Sequence, residues 1–302
     1  MKLFNFFIAF IFASVILSSC GTKEKGSPEY IQSIKQWRFE RINNLKKADG
    51  WLTLEGLHWL KRGENAFGTS DSNDIVFPEN SIPKFTGKFI FDGDSVIAEI
   101  APQVEVFLKN GKPVKRVKLV SDAKGKQTIL SYGSYSWYLI IRGGRYGIRI
   151  KNAESPLRKS FSGIETYPIN EEWRLKARVK YYKFPKLITI PSVIGTVEED
   201  STEFYLEFEK NGKTFTLDPI EEGDGLFIIF ADETSGVETY GAGRFLYVDK
   251  PNENGETIID FNKAYNPPCA FTKYATCPLP PKDNFLKLRI AAGEKDFHGY
   301  EH

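Results

Sequence analysis

Histidine is almost missing from this chain: His58, His298 and His302 are the only three in 302 residues. A histidine-rich zinc site is therefore excluded. A Ser-His-Asp triad would have to recruit His58, because the other two lie in the C-terminal tail. His58 sits between Leu57 and Trp59 and reads as a packed, hydrogen-bonded core histidine. Also lacking are a Gly-x-Ser-x-Gly elbow, a Gly-x-Gly-x-x-Gly turn, a Walker loop and a His-Glu-x-x-His pair, so no cofactor or metal is expected. An excess of charge of one sign is missing too. Lys and Arg number 41 against 39 Asp and Glu, a net +2. Such a balance offers no field for a polyanion, and nucleic acid is not an expected partner. Finally, the apolar run Leu3 to Leu17, interrupted only by Asn5 and Ser14, falls short of the about 20 residues that a membrane-spanning helix needs.

What that run does have is the form of a targeting segment, with Lys2 ahead of it. It ends in Leu17-Ser18-Ser19-Cys20, which resembles the bacterial lipoprotein signal. The resemblance implies removal of residues 1–19, leaving a net charge of +1, and acylation of Cys20 by palmitate-type chains. It also implies, through Gly21, sorting to the outer membrane, with the protein facing the periplasm. Acyl chains would then make the membrane contact. A plain secretory signal cut nearby is the alternative. Residues 20–27 read as a polar tether.

With Cys20 assigned to lipid, Cys269 and Cys277 remain, with seven residues between them. In an oxidising compartment such a pair is expected as a disulfide worth roughly 2–4 kcal/mol. A redox or nucleophilic role stays open, although the spacing is not Cys-x-x-Cys and no histidine lies nearby in sequence.

Ser27-Pro28 is a helix-start signature. Tyr30, Ile34 and Trp37 recur at helical spacing, predicting an amphipathic helix over residues 28–45. After it, aromatic and β-branched residues alternate with polar ones in short runs. Asn110-Gly111 and Asn211-Gly212 are hairpin turns, and Arg142 to Arg145 closes a third. The expected fold is mainly β: an N-terminal amphipathic helix followed by two packed antiparallel β units, sandwich- or barrel-like. Residues 28–155 hold the helix and first unit; residues 156–298 hold the second, with a Pro/Cys-rich loop. The five tryptophans read as core anchors. In Arg178 to Lys186 (RVKYYKFPK), Tyr and Phe are expected to pack inward while the basic groups stay solvated.

Three stretches carry a family resemblance: GWLTLEGLHWL (50–60), ADETSGVETYGAGRFL (231–246), and DFNKAYNPPCAFTKYATCPLPP (260–281) followed by AAGEK. Together they resemble the bacterial family known as domain of unknown function 1684 over residues 37–295. That resemblance implies no particular activity. Separately, GENAFGTSDSNDIVFP (63–78) and the Asn110-Gly111 turn resemble the opening of a forkhead-associated β-sandwich. Thr69 stands where such domains carry their phosphothreonine-gripping arginine, so phosphopeptide binding is not implied.

The candidate chemistry clusters late in the chain. Within Asp232 to Arg244, the run Asp232 to Gly236 looks like a tight turn with side chains such as Thr234 capping backbone donors, and Arg244 is able to fork a carboxylate or phosphate. Its alternative is a buried ion pair with Asp232 or Asp260. Asp260, Asn262, Tyr265 and Asn266 offer a carboxylate, two amides and a phenol within seven positions. These residues would suit recognition of a polar ligand, or else they cap turns around a braced loop. The leading expectation is a lipid-anchored envelope protein of unassigned activity that binds a small ligand or partner in a polar cleft, with Thr234, Asn262, Tyr265 and Asn266 as ligand-binding candidates. One alternative is a hydrolase or lyase working through Asp232, Asp260 or Glu294, with Tyr240 and Arg244 positioning the substrate. Another is a structural component of an envelope assembly.

Overall fold

Ser27 caps the N-terminal helix as its sequence predicts: its hydroxyl accepts the Tyr30 amide, Pro28 is the first helical residue, and the helix runs Pro28–Leu45. The computed structural model describes residues 23–299, so the expectations for the signal segment and for Cys20 lie outside the described residues. The protein is mainly β, with several packed antiparallel sheets after that helix.

The strands from Leu54 to Asn152 form two facing sheets. One has six strands, with Arg145–Asn152 between Leu54–Trp59 and Tyr135–Arg142; the other has five, with Gly63–Gly68 and Gly87–Phe91 near its centre. Their inner faces meet in a core of Phe67, Phe77, Phe89, Trp137 and aliphatic neighbours. Trp137 is fully buried and meets Phe77 edge-on at 5.2 Å. The Asn110-Gly111 hairpin is shorter than expected: across it only Val106 and Phe107 pair, with Val114 and Pro113, while Phe107 and Leu108 pair on the other side with Ser131 and Leu130. Proline removes one ladder donor, and the chain then switches sheets, so that Arg116–Lys118 pairs with Val96–Ile100.

The second set begins at Arg174. The long strands Arg174–Pro191 and Val197–Lys210 pair with each other, flanked by Lys213–Leu217 and Glu256–Asp260. Gly225–Asp232 and Arg244–Asp249 form the heart of the fourth sheet. At the Asn211-Gly212 turn both residues have positive φ (53° and 71°), as a type I′ hairpin requires. The basic-aromatic stretch departs from expectation. Ladder pairing is interrupted between Tyr181 and Lys186, and Tyr181 and Phe184 point outward, 75% and 73% exposed. A bulge turns side chains off the regular alternation, which is why an inward reading fails there.

Two expected groupings are corrected. The helix, read with the first unit, packs mainly on the second: Arg38 donates to Thr166 and to the Tyr167 carbonyl, and Leu45 joins Phe161, Ala270 and Phe271 together with Leu52 of the first unit. The end of the polar tether is also docked there, with Lys25 exchanging backbone hydrogen bonds with Ile169 and Glu171. The first and second units meet through Leu54, Ile188, Ile190, Ile229, Phe245 and the two cysteines.

Candidate functional site

The late candidate residues do not share one cavity; they divide into three braces and one recess. The first brace is the Asp232–Arg244 network. Arg244 opens the edge strand Arg244–Asp249 of the fourth sheet and is 0% exposed. Its Nη2 reaches Asp232 Oδ1 at 3.3 Å and the Ile290 carbonyl at 3.2 Å, and its Nη1 donates to Ala292 O. Asp232 also accepts the Ile290 amide at 2.7 Å and the Thr234 hydroxyl at 2.8 Å. Burial pushes the Arg244 pKa down while Asp232 pulls it back up. Both terminal nitrogens of Arg244 are engaged internally and only its buried Nε lacks a hydrogen bond, so the ion-pair alternative is the observed one. Gly243 explains the close packing: it sits at φ +87°, and a Cβ would fall 2.5 Å from Phe230 O and 2.6 Å from Pro280.

The second brace pins the start of the helix. The Tyr30 hydroxyl donates to Asp260 at 2.9 Å, while the Asn262 amide donates to Tyr30 Oη and to the Asn170 carbonyl, each at 2.8 Å. Burial and the Asp260 charge raise the Tyr30 pKa far above the usual phenol range. The third pins the helix middle. Glu294 accepts Arg41 Nε at 3.1 Å and the Asn266 amide at 2.7 Å, and Arg41 Nη2 donates to the Asn266 carbonyl at 2.9 Å. Gly293 (φ +80°) aims Glu294: a Cβ there would meet Ala264 O at 2.5 Å. Asp232, Asp260 and Glu294 therefore each have separate partners, and no carboxylate pair forms among them. A shared-proton dyad needs two carboxylates in contact.

Cys269 and Cys277, expected as a disulfide, stand as two buried free cysteines. Each backbone amide donates to the other's sulfur, at 3.1 and 3.2 Å. The Cys277 thiol donating to Cys269 lowers the Cys269 pKa, and burial raises that of Cys277. Tyr240 packs half-buried beside this pair, between two apolar clusters. Among the described residues, no group of three His, Cys, Asp or Glu side chains is placed to hold a metal ion.

Tyr265 alone of the candidates faces a recess. Its backbone pairs with Phe245 in both directions (2.8 and 2.9 Å), setting it beside the strand Arg244–Asp249. The recess, about 250 Å³, is lined by Trp37, Glu40, Arg41, Asn44, Tyr247 and Tyr265. Tyr247 and Tyr265 lie almost parallel, 9° apart with centroids at 6.4 Å, and Trp37 sits 6.4 Å from Tyr265. The Arg41 guanidinium lies 4.6 Å above the Tyr265 ring. Burial raises the Tyr265 pKa.

Sequence reasoning missed Trp37, Glu40, Arg41 and Asn44, yet the signal was present. They fall at i, i+3, i+4 and i+7, a single helix stripe, and Trp37 was counted with the core instead. Tyr247 left no such signal: that it is half-exposed on an otherwise largely buried strand is seen only in the fold. Larger recesses of about 470 and 630 Å³ open on the first unit, but no late candidate lines them. Several of their charged groups are engaged: Lys88 with Glu64, Glu99 with Arg116, Asp74 with the Ala66 amide, and Lys115 with the carbonyls of Pro102 and Val104.

Fold and recess together define a two-unit β protein whose N-terminal helix roofs an aromatic hollow on the second unit. Residues 159–295 match the family model described as "Protein of unknown function (DUF1684)", which supports the family read from the motifs over that part of the chain. The match contains Tyr247 and Tyr265 but not the helix stripe. A solved solution structure of an uncharacterized protein from Haloarcula marismortui is 26% identical, over 47% of this chain and 81% of that one, with a TM-score of 0.39. No curated protein matches.

Proposed function

We propose that this chain is a lipid-anchored cell-envelope protein, held at the outer membrane through Cys20, that binds a small ligand in the hollow beneath its N-terminal helix. The observation that carries the reading is the convergence of Trp37, Arg41, Tyr247 and Tyr265 on one open recess. A mostly apolar hollow with a few convergent polar groups is the usual form of a small-ligand site. The braces at Asp260 and Glu294 hold the helix in register over Tyr265, so the motif-rich loop supports the hollow from behind. The first β unit, with its forkhead-associated-like opening, serves as scaffold without phosphopeptide binding.

Calorimetric screening of the full chain against a broad small-molecule set, wild type beside Tyr247→Ala, tests the binding half. A ligand that binds both proteins equally would remove the hollow from the site. For the anchor, metabolic labelling with a fatty-acid probe should be lost in Cys20→Ala, and persistent label would refute it.

A further inference from the structure

We infer that the hollow takes a neutral, hydroxylated ring: one saccharide unit. This rests on the ligand-binding reading above and adds the ligand's class. At about 250 Å³ the hollow lies below the about 300–1,000 Å³ typical of drug-sized ligands, which suits a single ring. Its walls are flat aromatic faces, two of them within 9° of parallel. With one Tyr265 face covered by Arg41, the C–H face of a sugar ring packs on the half-exposed Tyr247 ring beside Trp37, by dispersion and against the ring's negative quadrupole.

Charge decides between ring types. Three aromatic walls would ordinarily suit a quaternary ammonium. Here the Tyr265 face is already covered by the Arg41 guanidinium at 4.6 Å, which repels a second cation. An anion is disfavoured as well. Glu294 at 3.1 Å neutralises Arg41, Glu40 stands on the rim, and Glu222 accepts the Tyr247 hydroxyl at 2.6 Å. A purely apolar ring would strand polar groups. Arg41 Nη1, Trp37 Nε1, the Tyr265 hydroxyl and the Asn44 amide have no hydrogen bond among the described residues. Covering donors without partnering them is unfavourable, whereas hydroxyls donate and accept and so satisfy every one of these groups.

Saturation-transfer NMR on the full chain, in a detergent without a sugar headgroup, tests the inference. The probes are glucose, galactose, mannose and N-acetylglucosamine, an oligosaccharide ending in each, and choline and inorganic phosphate for comparison. At least one sugar should receive saturation on its C–H face. Tyr247→Ala should weaken its binding about tenfold, the upper end of an aromatic contact. Asn44→Ala, at an exposed helix position, should weaken it severalfold with the fold intact. Tighter binding of the oligosaccharide than of the free sugar would assign a glycan end as the source, and the reverse a free sugar.

Binding of choline or phosphate, lost in Tyr247→Ala and without any sugar binding, would overturn the saccharide class while leaving the hollow as a site. Sugars that bind wild type and both variants equally would overturn the class and the site together. No sugar signal at about 10 mM, ten times the concentration for a binding free energy near −4 kcal/mol, would also overturn the inference.

Discussion

Asp232→Asn should cost the protein much of its stability while leaving ligand binding in the hollow intact. Asp232 and Arg244 are both fully buried at the side chain, 3.3 Å apart. The aspartate also accepts a backbone amide at 2.7 Å and a hydroxyl at 2.8 Å. Removing one partner of a buried pair leaves an uncompensated charge and typically costs about 3–5 kcal/mol. In a large domain each kcal/mol moves the melting temperature by about 2–4 °C, so the midpoint should fall by roughly 6–20 °C. The isosteric amide still accepts from Ile290, which places the loss near the lower end. A double variant, Asp232→Leu with Arg244→Met, should lose less than the sum of its singles, because no buried charge is stranded. Thermal melts by circular dichroism, paired with calorimetric titration of the hollow's ligand, read both quantities. A variant that melts within about 1 kcal/mol of wild type but no longer binds would refute the structural reading and return this network to the site.

Three further outcomes follow from buried groups elsewhere. Arg149 is 1% exposed, makes one side-chain hydrogen bond, to Thr276 at 3.0 Å, and has no carboxylate partner among the described residues. Arg149→Met should therefore leave urea stability unchanged or raise it by about 1–4 kcal/mol, and a loss of that size would reveal a counter-charge, the nearby Cys269 sulfur being the first to test. Burial lowers the His58 pKa below its ordinary 6.5. The unfolded chain then takes up the proton first as pH falls through about 6.5, so stability should drop below that pH and recover above it. His58→Gln should flatten that part of the profile, and an unaltered slope would exclude His58. Cys269 and Cys277, buried as free thiols, should resist alkylation in the folded protein and label once it is denatured without reductant; a pair still unlabelled after denaturation would show a disulfide.

The helix and the hairpins were legible because their signals are local. A Ser-Pro cap and Asn-Gly turns act within a few residues, and the helix Pro28–Leu45 follows from them. What the local pattern could not show was where the helix docks. That depends on Tyr30 meeting Asp260, 230 positions away, and on Arg41 meeting Glu294, 253 positions away. The same limit misdirected the search for a site. Asp232, Arg244, Asp260 and Asn262 look functional because they are polar and crowded, but their partners are backbone groups and a helix. Tyr265 was found because it belongs to the crowded loop. Trp37 was missed because an aromatic at helical spacing reads as core until its neighbours Glu40, Arg41 and Asn44 are seen to share its stripe. His58, expected to be packed and hydrogen-bonded, is half-buried and makes no side-chain hydrogen bond among the described residues.

Whether the ligand sits under the helix, rather than at the Asp232–Arg244 network, is read most directly from indole resonances. The chain has five tryptophans, and Trp37→Phe identifies the Trp37 Nε1–H signal. On titration with a sugar that binds, that signal should shift progressively while those of Trp137 and Trp173 stay fixed. A stationary Trp37 signal alongside a moving Arg244 Nε–H would contradict the account.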